Sequence, residues 1–80
     1  MNVVIVLFEG VTALDAVGPY EVLSRLPDTS VVFAATEPGV KRTDRGLGLT
    51  ADVALREVPA PELLLVPGGP GQVAAMDDLA

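Results

Sequence analysis

Three mainly apolar runs punctuate the chain, and each stops at turn-forming residues. Residues 3–8 end at Glu9-Gly10, residues 30–36 at Glu37-Pro38-Gly39, and residues 62–66 at Pro67-Gly68-Gly69-Pro70-Gly71. Short aliphatic runs bounded this way predict strands buried on both faces, the signature of a parallel sheet. Between the first two, residues 14–26 place apolar side chains at 14, 17, 22, 23 and 26. That spacing predicts a helix beginning near Asp15 to Pro19, with Pro19 close to its start and Pro27 closing it.

Residues 40–51 break the pattern, being polar and alternating with Asp44-Arg45-Gly46 in the middle. A small exposed hairpin is the natural reading. A short helix is predicted over residues 72–76 after the glycine-rich turn. Asp77 and Asp78 would meet the negative pole of that helix and fit better as the cap of another. The chain is therefore expected to stop inside a longer domain. Strand, helix, strand, hairpin, strand and helix together predict an α/β fold: a flavodoxin-like doubly wound parallel sheet, present in part, carrying a small β-hairpin.

Length supports that expectation, since 80 residues fall below the ~100–150 at which domains cluster. Val, Leu and Ala supply nearly all of the apolar content, so strands and not aromatic clusters must build the core. A net charge of −6 with five basic residues, only Lys41, Arg42 and Arg45 being grouped, cannot neutralise a row of phosphates, and no nucleic-acid partner is expected. Cysteine and histidine are both absent, which removes disulfides, thiolate metal sites, thiol nucleophiles and imidazole bases from these residues. No metal or cofactor is expected. The apolar start is too short to span a bilayer and has no basic lead, so no membrane association and a cytoplasmic location are expected.

Two places could carry chemistry. Asp15 follows the first strand's loop at a helix entrance, where parallel sheets gather their ligands. An acid there also serves as a helix cap or first-turn charge, and taken alone Asp15 reads more readily so. Gly18-Pro19 restricts the chain beside it, while Glu21, one turn on, reads as a solvated residue. The second place is Gly68-Gly69-Pro70, at the carboxyl end of a strand, where glycines let backbone approach a ligand and expose amide donors to a developing negative charge. A plain strand-to-helix turn accounts for isolated glycines as well. Residues 69–74 also fit G-x-G-x-x-A, a dinucleotide fingerprint, but Pro70 removes one amide donor from such a loop and the chain stops before the position of the expected acid.

The block Phe8-Glu9-Gly10-Val11-Thr12-Ala13-Leu14-Asp15-Ala16-Val17-Gly18-Pro19-Tyr20-Glu21-Val22-Leu23 resembles the opening of ThiJ/PfpI proteins, within the class I glutamine amidotransferase-like group, and in particular their isonitrile hydratase-like branch. Leu65-Val66-Pro67-Gly68-Gly69-Pro70-Gly71 resembles the same superfamily's strand ending in Pro-Gly-Gly. The resemblance implies that residues 1–80 are the amino-terminal part of one such domain, which stops before a cysteine on a strand-to-helix elbow. It further implies a homodimer, a small-molecule substrate, a proton-handling role for Asp15, and an oxyanion-type contribution from the backbone around Gly69. Related branches acting on glyoxals carry glutamate at this place, so Asp15 favours hydration of isonitriles by a hydro-lyase.

Two other readings stay open. Amidotransferase-like domains fused to AraC-type transcriptional regulators share a similar Leu-Asp-x-x-Gly-Pro block and sense ligands. An inactive gene fragment would also contain everything seen here.

Overall fold

The computed structural model describes residues 1–69; Pro70 and the helix expected over residues 72–76 lie outside that range. The chain order is β1 (Asn2–Val6), α1 (Ala13–Leu23), β2 (Ser30–Ala35), β3 (Gly39–Arg42), β4 (Gly48–Ala51), β5 (Val53–Ala54), a single 3-10 turn (Leu55–Glu57) and β6 (Leu63–Leu65).

Four strands form one sheet in the order β5-β2-β1-β6, and every pairing is parallel. The register places Val4 level with Val32 and Leu64, and Ile5 level with Phe33 and Leu65. Because paired residues share a face, β1, β2 and β6 present Val3, Ile5, Val31, Phe33, Leu63 and Leu65 to one side. α1 covers that side: Tyr20 stacks on Phe33 with ring centroids 5.1 Å apart, and Ala16 and Leu23 join the same core. Fully enclosed Ile5, Leu7 and Val11 sit at its centre. The expected parallel α/β sheet is thus present, with β1 in its interior.

The helix differs from its expectation in register. It starts at Ala13, earlier than expected, so Pro19 lies inside it. The buried face runs through Ala16, Tyr20 and Leu23, whereas Leu14, Val22 and Leu26 stand exposed. Counting apolar residues misled here because Ala16 and Tyr20, and not Leu14 or Leu26, join Leu23 on the buried face. The third strand is also less buried than expected. Leu64 is 49% exposed, on the face opposite α1.

The hairpin is real and antiparallel, pairing Gly39 with Ala51 and Arg42 with Gly48. Its turn lies where Asp44-Arg45-Gly46 predicts it, with Gly46 at φ +94°. It is not simply exposed, since Ala51 and Thr43 are buried and Leu49 packs on the core. No helix among the described residues is long and apolar enough to cross a membrane.

Candidate functional site

The strand order defines where a ligand belongs. From β1 the chain moves outward through β2 to β5, then returns to the other side of β1 as β6. The strand order thus reverses at β1, and the carboxyl ends of β1 and β6 are where such a sheet places a ligand crevice. Asp15 follows β1 and Gly68-Gly69 follows β6, so topology alone brings both predicted places to the same crevice.

Their contact is close. A side-chain carbon added at Gly68 would stand 3.0 Å from Oδ2 of Asp15. The Thr12 amide donates to the Gly68 carbonyl at 2.9 Å, tying the two loops together. Gly69 adopts φ +147°, and a carbon added there would lie 2.4 Å from the Gly10 carbonyl oxygen, 2.8 Å from the Thr12 nitrogen and 2.9 Å from the Val11 Cα. Such distances are inside van der Waals contact, so glycine at 69 is required both by conformation and by the neighbouring backbone.

Asp15 is the third residue of α1 and is exposed. It is not the helix cap; that place belongs to Thr12, whose side chain makes no capping bond. Among the described residues, no side-chain hydrogen bond engages the Asp15 carboxyl. Four residues on, Pro19 has no N–H to give the Asp15 carbonyl, so the backbone here departs from regular helical bonding. Glu21 behaves as expected of a solvated residue, accepting from Arg25 Nη1 at 2.7 Å on the helix surface.

Sequence reasoning missed what supports the crevice. The Glu9 carboxylate accepts from the Arg42 amide at 3.3 Å through each oxygen. The Gly10 amide donates to the Arg42 carbonyl at 2.9 Å, and the Asp44 amide to the Val11 carbonyl at 3.1 Å. The hairpin thereby grips the loop on which Gly69 rests. Gly10, at φ +85°, was the available signal: a glycine forced into left-handed backbone right after a strand marks a loop shaped for a neighbour. A separate cavity of about 240 Å³ lies at the opposite, amino end of the strands, between Asn2, Val4, Ser30, Val32, Val58 and Pro59. It has no connection with Asp15. Among the described residues, no cluster of acidic side chains could hold a metal.

The fold is a parallel α/β sheet that brings a carboxyl-bearing helix start close to a Gly-Gly turn. The chain belongs to the DJ-1/PfpI family, whose model matches residues 1–79. It is 35% identical over 72 residues to the isonitrile hydratase of Pseudomonas putida, an alignment covering 90% of this chain and 32% of that protein. The chain thus spans about a third of that relative's length. Drosophila melanogaster DJ-1beta shares the fold with a TM-score of 0.84 at 22% identity, over 94% of this chain and 41% of that one. An AraC family transcriptional regulator from Pseudomonas putida superposes with a TM-score of 0.70 at 22% identity, over 85% of this chain and 46% of the regulator's.

Proposed function

We propose that these residues form the amino-terminal part of an isonitrile hydratase-like enzyme, converting an isonitrile and water to an N-substituted formamide. The observation that carries this reading is the Asp15 carboxyl lying beside Gly68 at the carboxyl ends of β1 and β6, on a chain 35% identical to an isonitrile hydratase.

An isonitrile carbon is electrophilic at its terminal position, and a thiolate adds to it readily. These 80 residues contain no cysteine, so the nucleophile comes from outside them. Addition forms a carbon–sulfur bond and develops negative charge on the isonitrile carbon. Asp15, in its protonated form or through a water, supplies the proton that yields a thioimidate. Attack by water, with Asp15 now accepting a proton, and departure of the thiolate give the formamide. One water is consumed and no oxidant or reductant is needed. The amides of Gly68 and Gly69 would supply backbone donors to that developing charge. A homodimer, a small-molecule substrate and a cytoplasmic location accompany this reading.

The test uses the complete gene product with an alkyl isonitrile, measuring formamide by chromatography. Turnover is expected, with Asp15→Asn reducing kcat by about 10²-fold or more and Asp15→Glu retaining a fraction of it. Full activity in both variants would remove Asp15 from the chemistry. An absence of turnover, together with specific binding of duplex DNA, would favour the ligand-sensing domain of an AraC-type regulator instead.

A further inference from the structure

Among the described residues, Thr43 is the one buried polar side chain, 5% exposed. Its hydroxyl accepts from the Leu47 amide at 3.0 Å and the Arg45 amide at 3.3 Å. Its own amide donates to the Leu47 carbonyl at 2.8 Å, and its carbonyl accepts from the Gly46 amide at 3.0 Å. The whole hairpin turn therefore closes around a single side chain.

This turn touches the crevice loop directly. Thr43 bridges to Val11, and the flanking residues Arg42 and Asp44 bond Gly10 and Val11 through the backbone. Gly10, Val11 and Thr12 are in turn the three residues against which Gly69 is pressed. An uninterrupted path thus runs from the Thr43 hydroxyl, through the closed turn, to the backbone that seats the Gly68-Gly69 turn beside Asp15.

We propose that Thr43 is a positioning residue for the Asp15 crevice, setting through its hydroxyl the placement of Gly10 and Val11 and hence of the Gly68-Gly69 backbone; its catalytic consequence rests on the hydratase reading above. A hydroxyl is required and bulk is not. Valine has the same shape as threonine, yet it would leave the Arg45 and Leu47 amides unpaired in a partly buried turn. Serine keeps the acceptor.

The experiment compares Thr43→Val, Thr43→Ala and Thr43→Ser in the complete gene product, with Ile5→Val as a core control that leaves the turn alone. Two quantities are read: the exchange rate of the Thr12 amide, which bonds the Gly68 carbonyl, and kcat against KM for isonitrile hydration. Both hydroxyl-deleting variants are expected to speed Thr12 exchange about tenfold and to lower kcat about tenfold. KM is expected to stay within about twofold, and Thr43→Ser to recover both quantities to within about threefold. Ile5→Val is expected to change neither selectively. Unaltered Thr12 exchange in the Val and Ala variants, or a Ser variant as impaired as they are, would overturn the proposal. If the gene product turns over no isonitrile, the hydratase reading falls, and the exchange rates decide the positioning role independently.

Discussion

Gly68 and Gly69 are adjacent but answer to different constraints, and substitution separates them. A methyl at Gly69 meets the Gly10 carbonyl at 2.4 Å with backbone on every side, and φ +147° is itself hostile to alanine. Gly69→Ala is expected to destabilise the fold by about 2 kcal/mol or more, measured by urea unfolding. At Gly68 the one close neighbour among the described residues is the tip of an exposed carboxylate. Gly68→Ala is expected to stay within about 0.5 kcal/mol in the same measurement, while turnover of the complete gene product falls about tenfold because the carboxyl must swing aside. Equal effects on stability and turnover at both positions would contradict the geometry.

At the scale of elements, α1 holds the most informative conflict between local preference and tertiary need. Proline inside a helix costs up to about 3 kcal/mol against alanine, partly offset by the stiffness it gives the unfolded chain. Pro19→Ala is therefore expected to raise stability by about 1 kcal/mol, visible as a higher denaturation midpoint. The strands β1 and β2, the hairpin turn, and Asp15 and Gly68 as two separate strand-end places were legible in the sequence, because buried runs and Gly-rich turns act locally; that the two places meet was not read from it. What was not legible depends on contacts between distant segments. The helix face was misread because Ala16 and Tyr20 answer to Phe33. The hairpin was taken as exposed because Thr43 is polar, and only its turn partners reveal why it is buried. β5 has just two residues, too few for any periodicity. Packing at β1 is more conventional: Ile5 is fully enclosed, and Ile5→Ala is expected to cost about 2–5 kcal/mol in the same unfolding experiment.

For the molecule as a whole, the two sides of the sheet are unequal. α1 covers one, whereas over the other no described helix lies, and Leu64 stands half-exposed beside Val4 and Val32 on it. β6 also has no neighbour on its outer edge among the described residues. Open apolar edges invite intermolecular pairing. The 80-residue chain alone is expected to self-associate at micromolar concentration, and Leu64→Thr to reduce the scattering it produces. Undiminished scattering would place the sticky surface elsewhere.

The meeting of Gly69 with Gly10 and Val11 is backbone against backbone, and this limits how such a site can diversify. Gly69 has no side chain to enlarge, shrink or recharge, and any side chain placed there meets the backbone of Gly10, Val11 and Thr12. New substrate preferences must therefore be written on the rim, at exposed positions such as Leu14, or on whatever else borders the crevice. The frame stays constant while its surroundings are free to drift.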